Sequence, residues 1–143
     1  IKWHPALYNN LKKNDSFSKF IKSYPAFYVD LSAERDINEL LLVADVLVTD
    51  YSSVIFEYAL LNKPIVYFTY DLEKYESSRG LYYDFSEYIY GEVARCSDEL
   101  IDAIRKHSMN TEMRNKFINR FMSACDGKST EKVYRWIFYD TEG

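Results

Sequence analysis

Cysteine, glycine and proline are all scarce in this chain, with two, four and three among 143 residues. Cys96 and Cys125 lie far apart without metal-ligand spacing, which excludes a disulfide scaffold and leaves free, buried thiols in a reducing compartment as the expectation. No apolar run is long enough to span a membrane, no signal-peptide pattern is visible, and no repeat or low-complexity segment interrupts the chain. Basic charge is not in excess either. Eighteen Lys and Arg stand against 22 Asp and Glu, a net charge of -4, and the cations are scattered, so the electrostatic footprint of a DNA- or RNA-binding protein is missing. What is plentiful is apolar surface: 48% of the residues, enough for one domain-sized core.

Along the chain, strand-like and helix-like patterns alternate. A first strand is expected to end near His4, with a helical or mixed segment over residues 6–22, a strand over 26–30, a helix over 37–44 and a strand over 46–49. A helix over 52–62 and a strand over 65–69 follow. Residues 70–90 read as a loop-rich stretch of tyrosines and acids, then comes a short strand around Val93-Ala94. Helices over 97–107, 111–124 and 129–139 close the chain, with Ser97 and Ser129 as caps and Gly127 as a break. Strands separated by helices imply α/β class with a parallel sheet flanked by helices, whose ligands bind beyond the carboxyl ends of the strands. His4, Asp30, Asp50 and Tyr70 fall there.

Residues 45–64 carry the strongest signal. Val46-Leu47-Val48 reads as a strand covered on both faces, and Thr49-Asp50-Tyr51-Ser52-Ser53 supplies capping side chains where a helix would expose free N–H groups. Such a turn holds a phosphate or is an ordinary N-cap. Glu57 favours the phosphate, because no Lys or Arg lies three or four residues away to pair with it, and a carboxylate there suits a ribose diol. His4 reads either as a structural residue or as a donor to a pyrophosphate oxygen. Arg79-Gly80 offers close backbone approach and a fork of N–H donors for phosphate, or is a simple turn. His107, beside Arg105 and Lys106, reads as a surface residue complementing a helix dipole. The lysines between Leu11 and Lys22 form a solvated helix face in preference to a lipid-binding one, since Asp15 and Ser and Asn residues interrupt them.

These residues resemble a known family. Glu57-Tyr58-Ala59-Leu60-Leu61-Asn62-Lys63-Pro64 is similar to the acidic-residue-to-proline signature of GT-B transferases, and Thr49-Asp50-Tyr51-Ser52-Ser53 resembles the CDP-glycerol glycerophosphotransferases of teichoic acid synthesis. Lys2-Trp3-His4-Pro5, Arg79-Gly80-Leu81-Tyr82-Tyr83-Asp84 and Asp126-Gly127-Lys128-Ser129 fit three further motifs of that family in order. Tyr90-Gly91-Glu92 departs from it, standing where a more proline- and glycine-rich turn is expected. The resemblance implies a Rossmann-like, C-terminal donor-binding domain of a GT-B fold, spanning residues 1–143 as one domain, with an acceptor domain and a first strand belonging to a longer parent. It implies transfer of glycerol phosphate from CDP-glycerol to a lipid-linked poly(glycerol phosphate) acceptor, with release of CMP and no cofactor or metal.

In that scheme Thr49, Asp50, Ser52, Ser53, Arg79 and Gly80 bind the donor, Glu57 holds its ribose, and His4 is catalytic. The general base comes from the parent, which works in the cytoplasm at the inner face of a bacterial membrane with peripheral association. Two rivals stand beside it: a transferase for CDP-ribitol or a nucleotide sugar, and a non-catalytic α/β interaction module. The tyrosines of residues 70–90 are either a lid on the donor site or part of the core.

Overall fold

Ile65-Val66-Tyr67-Phe68 is short, apolar and β-branched at its start, and it forms the central strand of a three-stranded parallel sheet. The computed structural model describes residues 1–3, 8 and 15–139. They fall into two compact units, Ile1–Leu40 and Leu41–Gly143.

In the first unit, helix α1 spans Asp15–Ser23. The expected strand over 26–30 does not form: residues 25–27 make a turn, and 28–31 have no regular structure. One parallel-type ladder step survives of it. The amine of Ile1 donates to Val29 O at 2.7 Å, and the Leu31 N–H donates back to Ile1 O at 2.7 Å. A single step lacks the cooperativity of a strand pair. Ser32 Oγ accepts from the Trp3 N–H at 3.0 Å, and Asp30 Oδ1 accepts from the Ser32 N–H at 3.0 Å. Hydrogen bonds from Ser32 hold the Asp30 carboxyl below the usual carboxylate range. His4, and the lysines at 12 and 13, lie outside the described residues.

Helix α2, Ile37–Val43, leads to the second unit, where the order is β1 (Leu47–Thr49), α3 (Val54–Ala59), β2 (Ile65–Phe68), α4 (Leu72–Ser78), β3 (Glu92–Ala94), α5 (Ser97–Lys106), α6 (Thr111–Phe121) and α7 (Ser129–Phe138). The strands lie in the order β1-β2-β3, with Val48 opposite Val66 and Tyr67 opposite Val93. β2 is buried along Ile65, Val66 and Tyr67. Among the described strands β1 lies at the edge, and Val48 is 41% exposed, so the expectation of cover on both faces fails there. Val66 packs with Ala94 and Ala103, whose small side chains let α5 close on the sheet. Tyr67 packs edge-on against Phe85 and Tyr90.

Four local expectations are corrected. Ser97 and Ser129 are first helical residues, not caps; Cys96 and Lys128 precede them, without side-chain capping bonds. A real cap stands at Asn110, whose side chain accepts from the Met113 N–H at 3.0 Å. Both cysteines are free but exposed, lying in the connections before α5 and after α6. The 70–90 stretch holds α4 and a 3₁₀ turn at Phe85–Glu87, which its polar composition concealed. Helix α3 is also shorter than expected. Leu60 and Leu61 close it with i→i+3 bonds to Glu57 and Tyr58, and Asn62 takes a left-handed φ of 56° just before Lys63-Pro64.

Candidate functional site

The turn that follows β1 opens onto a cavity of about 190 Å³. Its rim is Asp50, Tyr51, Ser52 and Ser53. Ile55 and Phe56 from α3, Tyr67 from β2, and Leu81, Phe85 and Tyr88 from the segment after α4 form the walls. The site thus sits at the carboxyl end of the sheet, as the topology predicts for a parallel α/β unit.

The serines are less committed to capping than their pattern suggests. Ser53 occupies the N-cap position with helical backbone angles (φ -64°, ψ -10°) and makes no side-chain capping bond, while Ser52 Oγ accepts from the Val54 N–H at a long 3.4 Å. Helical angles at Ser53 turn its hydroxyl away from the N–H groups that an extended N-cap would reach. The opening turn is 3₁₀-like, with the Phe56 N–H donating to Ser53 O at 3.1 Å. A six-residue helix has a small dipole, so an anion here would meet local N–H groups and hydroxyls more than a macrodipole. Ser53 and Glu57 are both exposed, and their spacing of four puts them on one face of α3. Glu57 has no ion-pair or hydrogen-bonding side-chain partner among the described residues and does not line the cavity.

Of the other expected site residues, Asp50 is exposed and lines the rim, whereas Thr49 is the last residue of β1, paired with Tyr67. Arg79 ends α4, exposed and without an ion-pair partner among the described residues. Gly80 takes φ 72°, and its N–H donates to Tyr75 O at 3.3 Å. That left-handed step ends α4 and delivers Leu81 to the cavity wall. Lys63 of the acidic-to-proline motif serves the fold, because its ammonium donates to Leu42 O at 2.7 Å and Ala44 O at 2.8 Å, closing the end of α2.

Tyr51, unassigned among the motif residues, joins the two sides of the site. Its hydroxyl donates to Asp71 Oδ1 at 3.0 Å and its ring stacks on Tyr75 with centroids 4.0 Å apart. Burial first, then the Asp71 carboxylate, pushes its pKa well above the ordinary phenol value. No sequence signal separated it from its neighbours, since Asp71 and Tyr75 meet it only through the fold. The other tyrosines divide. Tyr67 and Tyr90 are core and Tyr88 stacks on Phe121, whereas Tyr70, Tyr82 and Tyr83 remain exposed, so the stretch is part packing and part surface. Tyr90-Gly91-Glu92, the departure from the resemblance, is packing as well: the Tyr90 hydroxyl donates to Ile55 O at 2.6 Å, and Gly91 abuts the Ile65 backbone.

The family described as CDP-glycerol:poly(glycerophosphate) glycerophosphotransferase matches residues 1–139. The chain belongs to this family. Among its relatives, a teichoic acid poly(ribitol-phosphate) polymerase of Bacillus spizizenii is 47% identical over 119 residues, which cover 83% of this chain and 19% of the relative. A teichoic acid glycerol-phosphate primase of Bacillus subtilis is 35% identical over 139 residues, 96% of this chain and 33% of the relative. Among solved structures, the wall teichoic acid polymerase TagF soaked with CDPG is similar with a TM-score of 0.73 and 31% identity, over 97% of this chain and 34% of that one. This glycerophosphotransferase-family chain therefore spans about a fifth to a third of the relatives it matches. The likeness to TagF bears out the expected GT-B-type α/β fold. Among the described residues, no helix is long and apolar enough to cross a membrane.

Proposed function

We propose that this chain is the donor-binding part of a transferase that passes glycerol phosphate from CDP-glycerol to a hydroxyl of a teichoic-acid-type acceptor and releases CMP. The observation that carries the reading is the cavity at the end of β1, rimmed by two serines whose hydroxyls are weakly engaged or free of capping bonds, in a chain of this family. Ser52 and Ser53 would hold the diphosphate, with Arg79 adding a fork of donors. Glu57 would accept from the ribose diol on the same exposed face. The acceptor oxygen bonds to the phosphorus that bears glycerol, the bond from that phosphorus to the bridging oxygen breaks, CMP leaves with that oxygen, and the hydroxyl proton passes to a base. His4 would stabilise the leaving charge. Such transfer depends on positioning and charge stabilisation. A lipid-linked acceptor, and with it a place at the inner face of the cell membrane, belongs to the same reading.

Calorimetric titration tests it. Wild-type chain should bind CDP-glycerol, and the double variant Ser52→Ala/Ser53→Ala should bind about tenfold or more weakly, since two hydrogen bonds to a charged group are lost. Absence of heat with the wild type overturns the reading in favour of a non-catalytic module. A second reading, CDP-ribitol as donor, is favoured by the 47% identity to a poly(ribitol-phosphate) polymerase. The same titration with CDP-ribitol and a UDP-sugar separates the donors.

A further inference from the structure

We propose that the cavity beside the serine turn is the polyol subsite, the place that receives the hydroxyl-bearing end of the donor. The assignment rests on the donor reading above and extends it to a part of the ligand that no motif residue was expected to touch.

Charge supports it first. Among the described residues lining the cavity, Asp50 is the one carboxylate, and no Lys, Arg or His is among them. A carboxylate repels a diphosphate and accepts hydrogen bonds from hydroxyl groups, so the space beside Asp50 suits a hydroxyl-rich group better than a phosphate. The Tyr51 proton is committed to Asp71, which leaves the phenol oxygen as a further acceptor.

The walls agree. Phe56, Tyr67, Phe85 and Tyr88 present aromatic surface below the polar rim. A polyol has the matching duality, with C–H groups to pack on rings and hydroxyls to reach the rim. At crystal-like packing density ribitol occupies roughly 100–150 Å³ and glycerol less. A cavity of about 190 Å³ accepts either.

Direction adds a third support. Ser53 and Glu57 share the exposed face of α3, while Ile55 and Phe56 of the same helix line the cavity. A donor with its diphosphate on the serines and its ribose on Glu57 runs its nucleoside outward along the helix. The cavity is then left for the group at the other end of the diphosphate. Leu81, set by the left-handed Gly80, lines the cavity but belongs to neither the serine turn nor α3, so its size can be changed with those residues left as they are.

The test is calorimetric titration of the wild type, Leu81→Trp and Leu81→Ala with CMP, CDP-glycerol and CDP-ribitol, with circular dichroism to confirm folding. Leu81→Trp should weaken both CDP-polyols by about tenfold or more, CDP-ribitol the more strongly, while CMP affinity stays within about threefold. Leu81→Ala, which carries the test if the larger side chain prevents folding, should shift preference toward CDP-ribitol. Parallel loss of CMP would put the nucleoside in the cavity and overturn the inference while leaving the donor reading intact. Insensitivity of all three ligands to both variants would also overturn it. Failure of every ligand to bind wild type is a different result, which removes the donor reading itself.

Discussion

Replacing Gly91 with alanine should be among the most damaging single-methyl changes in the second unit. An added Cβ would stand 2.3 Å from Ile65 O and 2.4 Å from Ile65 Cγ2, whereas ordinary Cβ contacts lie at 3.4–4 Å. Relief needs the backbone before β3 to move by about 1 Å away from β2, because the obstructing atom is a carbonyl oxygen and not a flexible side-chain tip. That movement opens the β2–β3 ladder at its start, where Val66 faces Glu92. Overpacking typically costs about 1–3 kcal/mol and each weakened ladder bond about 1 kcal/mol, so a loss of about 3 kcal/mol is expected. Against a typical domain stability of about 5–15 kcal/mol this is a large share. Urea denaturation measures it as a lower midpoint at unchanged slope. Ile65→Ala carries its own loss because Ile65 is buried, but in that background Gly91→Ala should cost less than in the wild type and still more than nothing, since the methyl contact goes but the carbonyl contact stays. A Gly91→Ala variant within about 0.5 kcal/mol of wild type would refute the close-approach argument.

Two further outcomes are expected. Tyr67 donates to Tyr88 O at 2.9 Å, Tyr90 donates to Ile55 O at 2.6 Å, and burial pushes both phenols far above their ordinary value. The unfolded phenols ionise near pH 10 while the folded ones stay protonated, so their contribution is complete below about pH 10 and declines above it, by about 1.4 kcal/mol per pH unit for each phenol. Urea midpoints at about pH 9, 10 and 11 should show that decline, and Tyr67→Phe should reduce its slope by one phenol's share; a flat profile contradicts it. Glu57→Gln should leave stability within about 0.5 kcal/mol, the group being exposed and unpaired among the described residues, yet weaken CDP-glycerol binding several-fold. Equal binding by both proteins would remove Glu57 from the ribose.

The strand-helix alternation of the second unit was legible because its periodicities are local. The Ile65–Phe68 run, the break at Asn62-Lys63-Pro64 and the amphipathic helices near the C-terminus each declare themselves within a few residues. The serine turn and Glu57 were legible for the same reason, since a spacing of four fixes a shared helix face whatever surrounds it. The cavity was not legible. Its walls come from residues 50–88, and the contacts that shape it, Tyr51 with Asp71 and Tyr75, or Tyr67 with Phe85, join positions 18 to 24 residues apart.

Sequence alone therefore determined the class of fold, the family resemblance and the place of the serine turn, because those follow from short-range pattern and backbone chemistry. Tertiary structure decided which hydroxyls stay free of capping, that both cysteines face solvent, which tyrosines pack and which face solvent, and that Lys63 closes a helix while Gly91 admits a neighbouring strand. Each of these depends on what another part of the chain brings within a few ångströms, and burial is a property of the assembled fold that no single residue carries.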